Sequence, residues 1–154
     1  MTTTSPLKIG DIAPSFSLSD QDGKDINLSD YAGVSRVLLV FYPGDLTPGC
    51  TMQLCALRDD WSKFTALDTV ILGVNPADAE SHTAFKSKFA FPFPLLIDKT
   101  LLVAKKYGAT RQAGKATVIK RMVVVIEKDG KIRFIKNGMP KDADILKALA
   151  SPLK

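Results

Sequence analysis

Two apolar runs, Val37 to Tyr42 and Met122 to Ile126, contain neither charge nor polar alternation. A strand with one wet face alternates apolar and polar residues, so the unbroken Val37 run predicts a central strand covered on both faces. Thr69 to Val74 predicts a second buried strand, and Phe93 to Ile97 a shorter one. Between them the rhythm lengthens to that of helices. Helices are expected over Thr51 to Phe64, over Ala77 to Phe89 after Asn75-Pro76, over Leu101 to Tyr107 as far as Gly108, and over Asp142 to Leu149. Two hairpins complete the pattern: Phe16 to Ser19 with Lys24 to Asn27 around Asp22-Gly23, and Met122 to Ile126 with Lys131 to Lys136 across Asp129-Gly130. The fold class is α/β, a central mixed sheet flanked by helices, with an N-terminal β-hairpin addition.

At 154 residues, residues 1–154 are expected to form one domain. Hydrophobic residues make up 45% and charged residues 24%, which argues against disorder. No apolar run approaches a bilayer span, and Met1 to Pro6 lacks the basic flank and apolar stretch of a secretory signal. A protein of the cytoplasm is expected, without membrane contact. The net charge of +5 is unevenly distributed, since residues 1–85 carry 5 basic and 11 acidic side chains and residues 86–154 carry 16 and 5. The basic residues are scattered and lack aromatic interleaving, so no nucleic-acid partner is expected.

The candidate chemistry lies in Tyr42-Pro43-Gly44-Asp45-Leu46-Thr47-Pro48-Gly49-Cys50, where the most buried strand turns into a helix. Ligands bind at such carboxyl ends of strands in open α/β sheets. Cys50 falls in the first helical turn, where unpaired N–H groups and the helix dipole favour a thiolate, the nucleophilic form of cysteine.

Cys55 is the only other cysteine and follows five positions on. In a regular helix the two Cα atoms would stand about 8.5 to 9 Å apart, whereas a disulfide needs less than about 7 Å. Joining the two sulfurs therefore requires local unwinding of the helix. A structural zinc site needs about four ligands. The chain offers two Cys and a distant His82, expected to be an ordinary surface residue of its helix, so neither a metal nor another cofactor is expected.

The spacing Pro43-x3-Thr47-x2-Cys50 matches the P-x-x-x-T-x-x-C motif of peroxiredoxins. The run from Phe41 through Thr51, with Cys55 and Arg58-Asp59, resembles their Q-type subgroup, the bacterioferritin comigratory proteins. Gly10-Asp11-x-Ala13-Pro14-x-Phe16, Gly73-Val74-Asn75-Pro76, Phe91-Pro92-Phe93-Pro94-Leu95-Leu96 and Arg121 before Met122 to Ile126 are similar to that subgroup in order and spacing. The element order is likewise that of a thioredoxin-like fold.

The resemblance implies a peroxidase with Cys50 as peroxidatic and Cys55 as resolving thiol, joined as an intrachain disulfide. It assigns peroxide binding to Thr47, Gly49 and Arg121, and shielding of the site from water to Pro43. It further implies thioredoxin or a similar dithiol as reductant. An intramolecular resolving thiol needs no second subunit, so a monomer is expected. The chain lacks the Gly-Gly-Leu-Gly segment and the C-terminal Tyr-Phe pair of overoxidation-prone relatives, so a resistant type is expected. It departs from the subgroup at Gly44 and Leu46, where charged residues are frequent, and at Gln53, where many members carry Glu. Two other classes stay open: a protein dithiol oxidoreductase, which ordinarily carries C-x-x-C at this turn, and a redox-regulated binding or chaperone-like module, suggested by the basic C-terminal half.

Overall fold

The structure, a computed structural model, describes residues 6–151. The signal-peptide reading of the N-terminus and the end of the C-terminal comparison lie outside the described residues.

Strands β1 (Ser17–Ser19) and β2 (Asp25–Asn27) form the anticipated antiparallel hairpin. Asp20 organises its turn, its carboxylate accepting from the N–H groups of Asp22 and Lys24. After a turn of 3-10 helix at Leu28–Tyr31, β3 (Arg36–Phe41) enters the middle of the main sheet. There follow α1 (Pro48–Asp59), α2 (Trp61–Thr65), β4 (Thr69–Asn75), α3 (Ala79–Phe89), β5 (Leu95–Ile97) and α4 (Leu102–Tyr107). Next come β6 (Thr110–Ala113), β7 (Ala116–Ile119), β8 (Met122–Ile126), β9 (Ile132–Asn137) and α5 (Asp142–Ala150).

The five-stranded sheet has the order β5-β4-β3-β8-β9. Strand β3 runs parallel to β4 and antiparallel to β8, so the sheet is mixed, as expected of a thioredoxin-like fold. Every residue from Val37 to Tyr42 is buried because each face of β3 has its own core. Val37, Leu39 and Phe41 pack with Val103, Ala104 and Tyr107 of α4 and with Phe16 and Ile26 of the N-terminal hairpin. Leu38, Val40 and Tyr42 pack with Cys50, Leu54 and Leu57 of α1, Phe64 of α2, Phe85 of α3, and Ile145 and Leu149 of α5.

Two elements differ from the sequence expectation. The helix expected over Thr51 to Phe64 begins at Pro48 and is broken at Asp60, which ends α1 and starts α2. Asp60 joins the two helices through its backbone, its N–H donating to the Ala56 carbonyl and its carbonyl accepting from Lys63 and Phe64 N–H, and Phe64 of α2 is buried in the core. The β6–β7 hairpin was not anticipated at all. Its Thr-Arg-Gln-Ala strand is mostly exposed and has no apolar rhythm.

A buried ion cluster ties the far end of the sheet together. Glu127 accepts from Arg36 Nε at 2.9 Å and from Arg133 Nη1 at 2.8 Å. Arg133 also donates to the carbonyls of Ala148, Leu149 and Ser151 at the end of α5.

Candidate active site

The β3–β8 register delivers the site. Phe41 at the end of β3 pairs with Met122 at the start of β8, so Arg121 stands beside the point where the chain leaves the sheet for α1. The Arg121 carbonyl is held by the N–H of Gly138 at 2.9 Å. Leu46 adopts a left-handed backbone, with φ of 62°, a conformation that costs a non-glycine residue energy and persists where its surroundings enforce it. Thr47 follows in extended conformation as the N-cap residue of α1. Its hydroxyl does not cap the helix but donates to the Gly44 carbonyl at 2.9 Å, closing the loop on itself. The oxygen's lone pairs stay available as acceptors. Pro43 is exposed at the rim.

Pro48 opens α1, a position where the missing N–H costs nothing. The first backbone bond of the helix runs from Thr51 N–H to the Thr47 carbonyl at 2.8 Å. Among the described residues the N–H groups of Gly49 and Cys50 have no backbone acceptor, as expected of a helix's first donors. Cys50 is fully buried. Arg121 donates through Nη2 to Cys50 Sγ at 3.2 Å and through Nη1 to Gln53 Oε1 at 2.9 Å. Gly49 makes room for this fork, since a Cβ there would lie 2.8 Å from Arg121 Nη2. Cys50, Gly49, Gln53 and Arg121 thus form one contact set, with Thr47 beside it. Cys55 is half-buried on the same unbroken helix, and both cysteines are free thiols. The separation argued from helix geometry therefore applies in this state.

The expectation for His82 was wrong. It is fully buried, with Nδ1 2.6 Å from Asp45 Oδ2 and Nε2 2.9 Å from the Leu96 carbonyl. Its polar neighbours Ser81 and Thr83 concealed a signal that was present: His82, Phe85 and Phe89 recur at helical spacing and share one face of α3. Asp45 collects three further donors, Tyr42 Oη at 2.6 Å, Asn75 Nδ2 at 3.0 Å and Ser81 Oγ at 2.7 Å. Burial alone would raise the Asp45 carboxyl, but hydrogen bonds from His82, Tyr42 and Ser81 outweigh it and hold the group below the usual carboxylate range. The Tyr42 phenol is pushed strongly up, first by burial, then by the charge and hydrogen bond of Asp45 and by Cys50. Gly73 accommodates this ring, a Cβ there lying 3.2 Å from Tyr42 Cε1 and 2.8 Å from Leu95 Cδ2. None of this network was identified from the sequence.

Among the described residues no helix is long and apolar enough to cross a membrane, and no group of three or more His, Cys, Asp or Glu side chains could hold a metal ion.

Residues 9–135 match the AhpC/TSA family. The chain is 41% identical over 129 residues to the chloroplastic peroxiredoxin Q of Triticum aestivum, covering 84% of this chain and 58% of that protein. It spans less than two thirds of that plant relative. It is 41% identical over 134 residues to peroxiredoxin Bcp of Escherichia coli, covering 84% of this chain and 85% of the relative. The structure is similar to that of peroxidoxin BcpB from Mycobacterium tuberculosis, with a TM-score of 0.85 and 32% identity over 94% of this chain and 95% of the other. It is also similar to a cysteine-to-serine mutant of PrxQ from Xylella fastidiosa, with a TM-score of 0.86 and 25% identity over 95% and 97%.

Proposed function

Because the chain belongs to the AhpC/TSA family, on its peroxiredoxin Q side, we propose that it is a thiol peroxidase whose nucleophile is Cys50. The observation that carries this reading is the 3.2 Å contact between Arg121 and the Cys50 sulfur at the opening turn of α1. The guanidinium and the free N–H groups of Gly49 and Cys50 preorganise positive potential where charge moves during the reaction.

The Cys50 thiolate attacks one peroxide oxygen in line. A sulfur–oxygen bond forms, the O–O bond breaks, and the departing oxygen takes a proton to leave as water or an alcohol. Arg121 holds both sulfur and peroxide, Thr47 accepts from the peroxide hydroxyl while its own proton stays on Gly44, and Pro43 screens the rim from water. The resulting sulfenic acid is the reversible first rung of cysteine oxidation. The first turns of α1 then unwind, the Cys55 thiolate attacks the Cys50 sulfur, a disulfide forms and hydroxide leaves as water. Thioredoxin or a similar dithiol protein reduces the disulfide by exchange. The substrates are hydrogen peroxide or alkyl hydroperoxides, and the protein acts as a monomer in the reducing cytoplasm.

The test is one equivalent of hydrogen peroxide, with stopped-flow recording of thiol loss and a peptide map of the product. Rapid loss of the thiols with a Cys50–Cys55 bridge, absent in Cys50→Ser, is the expected result. Oxidation of Cys50 no faster than that of free cysteine would overturn the reading.

A further inference from the structure

Asp45 lies five residues before Cys50, and its carboxylate joins three parts of the fold. Tyr42 reaches it from the end of β3, Asn75 from the end of β4, and Ser81 and His82 from the first turn of α3. Its side chain is 3% exposed and that of His82 is 0% exposed. The Leu96 carbonyl can only accept, so His82 Nε2 carries a proton. Tyr42, Asn75 and Ser81 also donate to Asp45, so one proton shared at the 2.6 Å Nδ1–Oδ2 contact leaves the His82–Asp45 pair with no net charge.

A buried carboxylate without a counter-charge would oppose a second negative charge on Cys50, whose sulfur and Asp45 both act on the Tyr42 phenol between them, and would draw on Arg121. Arg121 instead has both of its terminal nitrogens on Gln53 and Cys50. We infer that His82, as the buried cation paired with Asp45, is a positioning residue of this site: it fixes the loop from Pro43 to Thr47 and cancels the loop's one negative charge, so that Arg121 stays on Gln53 and the Cys50 sulfur. The inference rests on the peroxidase reading of Cys50. Tyr42 and Ser81 are the other hydroxyl groups on Asp45, and Cys50, with Arg121 on its sulfur, acts on Tyr42 from the opening turn of α1.

The test compares wild type, His82→Gln, and the double variant Asp45→Asn/His82→Gln. His82→Gln keeps a donor but leaves Asp45 unneutralised. Its rate of Cys50 oxidation by hydrogen peroxide is expected to fall about tenfold or more, and the midpoint of its pH–rate profile to rise by about one pH unit. The double variant, which removes both charges and keeps the donors, is expected to restore the wild-type midpoint and most of the rate. Unchanged kinetics in His82→Gln, or equal slowing of both variants without movement of the midpoint, would overturn the inference. Nitrogen NMR of wild type provides a measurement independent of variant folding: both His82 ring nitrogens protonated at neutral pH supports it, and a single proton overturns it. If wild type itself shows no fast oxidation of Cys50, the peroxidase reading fails first, whatever the protonation of His82.

Discussion

The Arg121 guanidinium occupies the space that a side chain on Gly49 would fill, 2.8 Å from where its Cβ would stand. Gly49 is the second residue of α1 and has no left-handed backbone to forbid alanine, the better helix former. Gly49→Ala is therefore expected to keep or raise the melting temperature while pushing Arg121 off the sulfur. Stopped-flow oxidation should slow about tenfold or more, since a donor aimed at the reacting centre is displaced. Unchanged oxidation with an intact fold would mean that the Arg121 contact contributes nothing.

Arg121→Lys tests the fork rather than the charge. Lysine keeps one positive charge but has no planar pair of donors to reach Gln53 and Cys50 together. The rate of Cys50 oxidation is expected to fall on the order of a hundredfold, with little change in the urea midpoint of unfolding. A rate close to that of wild type would show that a point charge suffices.

Asp142 makes stability depend on pH. It lies with Asp60 in a groove of about 390 Å³ between α1 and the start of α5, lined also by Met52, Gln53 and Met139. Burial, then the hydrogen bond and charge of Asp60, push Asp142 up to about 7 from an ordinary 3.8. Between those values the folded protein holds a proton that the unfolded chain releases, so the contribution of Asp142 to stability is full below pH about 4 and is lost as the pH rises through about 7. Asp60 shifts the opposite way, chiefly through its hydrogen bond from Asp142. Asp142→Asn is expected to flatten the fall in melting temperature between pH 4 and 7 and to raise it at pH 8. An identical pH dependence in the variant would rule out Asp142 as its source.

Glu127→Leu should be strongly destabilising. The Arg133 side chain is 6% exposed and would lose its carboxylate. Removing one partner of a buried ion pair costs about 3 to 5 kcal/mol, to be measured by urea unfolding. A loss below about 1 kcal/mol would place the cluster among weak surface pairs.

How far the fold could be read from the sequence followed from where each residue's partners lie. Strands β3, β4 and β8 were legible because burial on both faces leaves an unbroken apolar run. The β6–β7 hairpin was not, because its exposed polar strands carry no such record. Cys50, Thr47 and Gly49 belong to one continuous turn, so their motif was visible. Arg121 was picked out only by resemblance, its partner Cys50 lying 71 residues away. His82 was misjudged because its partners Asp45 and Leu96 are 37 and 14 residues distant, and local context says nothing of them.

The pairing of Phe41 with Met122 has a consequence for which insertions and deletions this fold tolerates. Side chains alternate faces along a strand, so a one-residue slip of β8 against β3 would turn it over and carry Arg121 away from Cys50. The sheet's own irregularity, a shift between Val125 and Ile126, lies at the opposite end of β8, toward the turn before β9. Length variation in lineages built on this plan should therefore accumulate around residues 127–131 and be purged at 119–122, where a single added residue would part Arg121 from Cys50 without unfolding the sheet.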